Sequence, residues 1–413
     1  MLLSYFLNTI VRVGTLEVID ATGRRHRFSG TPSPRVTICL HDRSLPAKLY
    51  LNPDLAVGEA YMDGSLTIEQ GTLSEFVEIM ARNMDNGPSD PLFALRNKIW
   101  LLIRGWQQNN PIRRSQKNVA HHYDLPDRLY DLFLDEDKQY SCAYFMNRND
   151  SLETAQTAKK RHLAAKLLLK PGQKVLDIGS GWGGLALYLA QEGGVKVTGL
   201  TLSQSQLEVA RKRAAEARLN KKVQFHLRDY RQQEGSFDRI VSVGMFEHVG
   251  VKHYGEFFST IDNLLKDDGV CLLHSIGRMA GPGSTGPWMR KYIFPGGYSP
   301  SLSETLAAIE KSGLWVADIE ILRLHYADTI RHWRERFERN RAEIAGLLDE
   351  RFCRMWEYYL ALSEAAFLYC DHFVFQIQIA KQRDAVPLTR DYINDWERKH
   401  MGQEEARHPR EVA

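Results

Sequence analysis

The chain has 413 residues, 43% apolar and 25% charged, an ordinary globular balance with apolar material for one large domain or two smaller ones. Its formal net charge of +3 provides no global field for nucleic acid, which excludes that class of partner and leaves any anionic surface to local basic clusters. The five cysteines, Cys39, Cys142, Cys271, Cys353 and Cys370, are odd in number, far apart and without metal-ligand or redox spacing, so they read as reduced thiols of a cytosolic protein.

In chain order, "MLLSYFLNTIVRVG" is apolar but has neither a basic leader nor a small-residue cleavage site, and it is too short to span a membrane. It predicts an amphipathic first helix, lying at an interface or packed on its own domain. "TLEVIDATGRRHRFSG", "RVTICLHD" and "AKLYLN" predict short strands around glycine turns, and "LSEFVEIMARN" a helix. Residues 1–84 are therefore expected to form a small α+β domain. "NMDNGPSDP" then breaks regularity. Residues 85–119 read as a linker, mixing tryptophans with Lys98, Arg104, Arg113, Arg114 and Lys117, and suit either an interfacial helix or a solvated connection.

From residue 120 the pattern alternates. "TAKKRHLAAKLLLK", "GGLALYLAQE" and "SQSQLEVARKRAAEARL" predict helices, separated by strands over "KVLDIG" and "VKVTGLTL" and followed by strands over "VQFHLRDY", "FDRIVSVG" and "GVCLLHSIG". Such alternation predicts a doubly wound, Rossmann-like α/β fold over residues 120–413.

The segment "VLDIGSGWGGLALYLA" places Asp177 at a strand end and Gly179, Gly181, Gly183 and Gly184 in the turn before a helix. Glycines there let the backbone turn tightly and approach a ligand beyond the strand ends. Dinucleotide sites and plain tight turns use the same device. Two details favour S-adenosylmethionine: an acid enters the turn, which suits a ligand amino group, and the next strand ends in "GLTLSQSQ", offering Thr201, Ser203 and Gln206. A purely structural glycine turn is the alternative.

Seven stretches in this order, "HYDLPDRLYDLFLDEDKQYSCAYF", "LDIGSGWGGLALYLA", "GLTLSQSQ", "RIVSVGMFEHVG", "LLHSIG", "IFPGG" and "HYADTIRHW", resemble the cyclopropane-fatty-acyl-phospholipid synthases and the related mycolic acid cyclopropane synthases. The resemblance covers residue 120 to the end and implies a class I S-adenosylmethionine-dependent methyltransferase domain. The separate amino-terminal domain is more like the phospholipid-acting enzymes. The implied reaction converts cis double bonds of phospholipid acyl chains into cyclopropanes, with S-adenosylmethionine as co-substrate. The implied setting is a cytoplasmic homodimer that associates peripherally with the inner face of the membrane.

A cis alkene is a weak, uncharged nucleophile. Methylating it creates a carbocation that must be kept from water until a proton leaves the new methyl group and the ring closes. The resemblance implies that the base is a bound bicarbonate ion. It assigns Glu247, Cys142, His274, Ile276 and Tyr326 to the bicarbonate pocket, Ile276 through its backbone. To the co-substrate it assigns Tyr140, Ser141, Gly179, Gly181, Thr201 and Gln206, alongside Asp177 at the strand end, and it places Asp229 and Tyr230 near the adenine. No metal is implied.

Each residue has a plainer reading. Cys142 alone is a small buried hydrophobe, His274 a satisfied strand-end histidine, Tyr326 a loop anchor, and Asp229 a turn cap. His248 reads as structural, and Tyr123 as either closing the site or packing. Past Tyr326, long amphipathic helices are expected before a final strand over "HFVFQIQIAKQ"; they suit a wall of an acyl channel. "GRMAGPGSTGPW" reads as a loop or a lid. An acyl-chain methyltransferase that leaves a methyl branch, and a lipid carrier without catalysis, remain as alternatives.

Overall fold

The computed structural model describes residues 2–84, 111 and 125–407. Apart from residue 111, the linker expected over 85–119 lies outside these residues, as does Tyr123. The described residues fall into two compact units: residues 2–84, 283–297 and 326–372 form one, and residues 111, 125–282, 298–325 and 373–407 the other.

The first unit is built on a four-stranded sheet of β1 (Thr15–Ile19), β2 (Arg25–Ser29), β3 (Arg35–Leu40) and β4 (Leu66–Gln70), in the order β2-β1-β3-β4. The first helix, Leu2–Ile10, packs on its own unit against Leu45–Leu51, with the Phe6 and Tyr50 rings edge to face at 6.0 Å. "AKLYLN", expected as a strand, falls in that Leu45–Leu51 helix. Pro46 stands in its first turn, and Leu49 follows Leu45 by four residues, so both side chains reach the same buried face. Asn83 closes the unit: its Oδ1 accepts from the N–H groups of Arg12 and Val13 at 2.7 and 2.9 Å, and its Nδ2 donates to Val13 O at 2.9 Å.

Residues 326–372 do form helices, His325–Arg339, Arg341–Leu347 and Glu350–Tyr369. Expected as insertions of the carboxyl-terminal domain, they fold into the amino-terminal unit. The reason is aromatic: the Glu350–Tyr369 helix packs on Pro53–Met62 and Leu73–Met84, and Tyr358 meets Trp288 edge-on at 4.8 Å. All five cysteines are free thiols. Thiol, ring and carboxylate ligand atoms of Cys39, His41 and Glu69 lie within 4.8 Å of one another, although their sequence spacing gave no metal signal.

The second unit contains a seven-stranded sheet of β5 (Lys174–Ile178), β6 (Lys196–Thr201), β7 (Val223–Leu227), β8 (Phe237–Val243), β9 (Leu265–Arg278), β10 (Trp315–Leu322) and β11 (His372–Ala380). The order is β10-β11-β9-β8-β5-β6-β7. Strands β5 to β9 pair in parallel, and β10 and β11 are antiparallel to each other. Period-two alternation sends neighbouring residues of each central strand to opposite layers: Leu176, Ile240 and Leu273 to one core, Val175, Val241 and Leu272 to the other. The sheet winds outward in both directions from β5 and β8, so a crevice opens beyond their carboxyl ends.

The Leu152–Lys166 helix departs from the usual surface pattern. Gln156, Lys159, Lys160, Arg161, His162 and Lys166 are all buried. The last helix, Asp391–Arg407, packs along it.

Candidate active site

The turn after β5 is shaped by positive backbone angles. Gly179 has φ +87°, and a Cβ there would stand 2.9 Å from Met245 Cβ; Gly181 has φ +52° with open space where a side chain would be. The N–H groups of Gly179 and Ser180 both donate to Leu200 O, at 3.0 and 2.8 Å, which locks the turn onto β6. Asp177, one residue from the end of β5, is buried, and its Oδ2 has no hydrogen-bond partner. Burial pushes its carboxyl up to about 7, with Lys159 pulling the other way.

All nine residues assigned above to the co-substrate, Tyr140, Ser141, Asp177, Gly179, Gly181, Thr201, Gln206, Asp229 and Tyr230, line one cavity at these strand ends. Thr201 Oγ1 donates to Gln206 Oε1 at 2.9 Å, and Ser203 caps the Gln204–Glu216 helix. Asp229 also meets its plainer reading. It caps the turn at Tyr230–Gln232 and accepts from Arg231 N, Nε and Nη2 at 3.0, 2.8 and 2.7 Å. His248 lines the cavity too, and burial pulls its imidazole down to about 4.

Behind the loop that carries Tyr140, Ser141 and Cys142 stands a residue the sequence reading passed over. Lys159 is fully buried and donates to Gln139 Oε1 and Ser141 Oγ, both at 2.7 Å. Gln156 Nε2 adds bonds to the carbonyls of Gln139 and Ser141 at 3.2 and 3.0 Å. Burial pulls the Lys159 ammonium down to about 8, and Asp135 opposes that pull. The signal in the sequence was the run Lys159-Lys160-Arg161-His162, which has no apolar residue to turn inward and still sits within a helix.

The second cluster lies where β8 meets β9. Val243 pairs with His274, and Gly244 N donates to His274 O at 3.0 Å, which brings the "MFEHVG" turn beside "HSIG". The Ile276 N–H donates to Glu247 Oε1 at 2.7 Å, so the backbone of Ile276 is engaged with the carboxyl group itself. Glu247 Oε2 is buried without a hydrogen-bond partner. Burial pushes this carboxyl up to about 7, opposed by the Ile276 N–H, its own backbone and the Ser275 side chain. His274 is held well below its ordinary range by burial and by the charges of Lys159, Lys166 and His162. Cys142 is buried and points its thiol at Ala143 O, 3.3 Å away. Tyr326 belongs to the other unit, where its ring packs against Trp333 and Phe367 at 5.7 and 4.9 Å.

Residues 110–377 match the mycolic acid cyclopropane synthetase family. The chain belongs to that family. It is 38% identical to the cyclopropane-fatty-acyl-phospholipid synthase of Escherichia coli strain K12, an alignment that covers 79% of this chain and 83% of that one. It is 37% identical to a probable fatty acid methyltransferase of Pseudomonas putida, over 83% of this chain and 86% of the other. The solved structure of a cyclopropane synthase from Mycobacterium tuberculosis superposes with a TM-score of 0.62 at 32% identity, covering 66% of this chain and 99% of that one. This member of the cyclopropane synthetase family therefore has the class I methyltransferase fold and is an S-adenosylmethionine-dependent enzyme. No described helix is long and apolar enough to cross a membrane.

Proposed function

We propose that this enzyme is a cyclopropane-fatty-acyl-phospholipid synthase, transferring a methylene from S-adenosylmethionine to a cis double bond of an unsaturated phospholipid acyl chain. One observation carries the reading: Glu247 is buried near a methyltransferase cavity with Oε1 clamped by Ile276 N–H and Oε2 left for a ligand. A carboxyl group poised near 7 either donates to an oxyanion or accepts from its hydroxyl. The buried cations Lys159 and Lys166 make the surroundings of His274 favourable to an anion.

These residues fit a bicarbonate ion, which when bound supplies the base. The glycine turn and Asp177 hold the co-substrate, whose ammonium group suits the unpartnered Oδ2. The alkene attacks the sulfonium methyl, S-adenosylhomocysteine leaves, and the resulting cation loses one proton from the new methyl as the ring closes. Glu247, Cys142, His274 and Ile276 are proposed to surround the base. Residues 1–84 are proposed as a lipid-capture or pairing domain of a homodimer that works at the inner membrane face, and the unit that carries the seven-stranded sheet as the catalytic domain.

A second reading has its own support in the Pseudomonas putida relative: methylation of an acyl chain with proton loss from a neighbouring carbon, leaving a branch. Turnover in rigorously carbon-dioxide-depleted buffer tests the bicarbonate reading. Activity that falls without bicarbonate and returns on its addition agrees with it; undiminished activity contradicts it.

A further inference from the structure

A buried chain of polar groups runs away from His274. Its Nδ1 lies 3.2 Å from Gln376 Nε2, and Gln376 Oε1 accepts from Lys166 Nζ at 2.8 Å. Lys166 also contacts Glu320, whose Oε2 meets His162 Nε2 at 2.7 Å, and His162 Nδ1 in turn meets Glu397 Oε1 at 2.7 Å. His274, Gln376, Lys166 and His162 are all at most 4% exposed.

The chemistry of this chain admits one proton arrangement at His274. An ammonium group has donors only, so the side of Gln376 that faces Lys166 must be its carbonyl oxygen. The amide NH2 therefore faces His274 and donates, which makes Nδ1 the acceptor. A neutral imidazole has one donor and one acceptor, so the ring proton sits on Nε2. Gln378 keeps the anchor in place, donating from Nε2 to Lys166 O at 2.6 Å while its Oε1 accepts from Tyr392 OH at 3.1 Å.

We propose that Gln376, oriented by Lys166, is a positioning residue that fixes His274 as the Nε2–H tautomer and so makes it a hydrogen-bond donor to an oxyanion held beside Glu247. This rests on the oxyanion reading of the Glu247 site. His274 and Ile276 stand two residues apart on β9, so their side chains leave the same face, and the Ile276 N–H holds Glu247. A ring of the opposite tautomer would present a lone pair to the anion. The glutamines of "FQIQIA" thus do more than fill a strand.

The test uses the full chain labelled with ring-15N histidine, with the His274 signals identified from a His274→Asn variant. Long-range proton–nitrogen correlation should show Nδ1 unprotonated and Nε2 protonated in the wild type. In Gln376→Glu a carboxylate accepts from the ring and the pattern should reverse, while kcat falls about 10²-fold, the scale of one lost oxyanion donor. S-adenosylmethionine affinity should stay within about twofold, which a general packing defect would not allow. Gln376→Met should leave a tautomer mixture and an intermediate kcat. A wild-type ring protonated on Nδ1, or a Gln376→Glu ring still protonated on Nε2, overturns the assignment whatever the anion is. The expected tautomers with turnover indifferent to bicarbonate would instead overturn the oxyanion reading, and with it the donor role of His274.

Discussion

The Ile276 N–H donates to Glu247 Oε1 at 2.7 Å, so a carboxyl group on one turn is fixed by the backbone of the neighbouring strand. The clamp survives replacement by an amide, whose carbonyl can accept the same bond, but Glu247→Gln can no longer ionise. Turnover should fall about 10² to 10³-fold, the cost of a misfunctioning polar group at a reacting centre. S-adenosylmethionine binding by calorimetry should remain within about twofold. Full activity in this variant would remove Glu247 from the mechanism.

Asp177 gives a pH signature to co-substrate binding. Its carboxyl sits at about 7 in the ligand-free protein because burial outweighs Lys159. An ammonium group placed beside it favours the ionised form, so binding depresses the pKa. Affinity is then full above about 7 and falls by up to about tenfold per pH unit below it, as a proton has to be displaced. Above about 8 the ligand's own amino group loses its charge and affinity declines again. Calorimetry should trace this bell, and Asp177→Asn should flatten its acid limb.

Gly179→Ala tests the turn. Both the positive φ and a Cβ placed 2.9 Å from Met245 Cβ oppose the substitution. The left-handed backbone alone costs about 1–2 kcal/mol in an L-residue. Thermal unfolding should shift down, and S-adenosylmethionine affinity should drop more than tenfold, since the relieved backbone no longer follows the cavity wall. Unchanged affinity would mean that the glycine turn is structural only.

Lys159→Met removes the two 2.7 Å bonds that hold Gln139 and Ser141. Charged hydrogen bonds contribute about 1.5–3 kcal/mol each, although removing the buried charge offsets part of the loss. The KM for S-adenosylmethionine should rise about tenfold with a smaller change in stability. A change in stability without a change in KM would make Lys159 a core residue and nothing more.

The glycine turn and the central strands were legible because a doubly covered sheet requires continuous apolar runs, as in "FDRIVSV", and because the turn needs residues without side chains. "AKLYLN" was misread because six residues of alternating character fit either period until Pro46 and Leu45 are included. The edge strand β10, Trp315–Leu322, went unnoticed, since its residues are mostly half exposed. The buried face of Leu152–Lys166, signalled only by the run Lys159-Lys160-Arg161-His162, was missed for a different reason. Its charges are compensated by partners remote in sequence, such as Glu397, 235 residues from His162, and hydropathy has no access to such pairs.

The most direct test supplies purified protein with methyl-labelled S-adenosylmethionine, bicarbonate and vesicles of cis-unsaturated phospholipid, then reads the acyl chains by mass spectrometry and proton NMR. A chain heavier by one CH2, with upfield cyclopropyl protons and no olefinic signal, is the predicted result. The same mass gain with olefinic or methyl-branch signals would contradict ring closure, and absence of label from the lipid would contradict the proposed substrate.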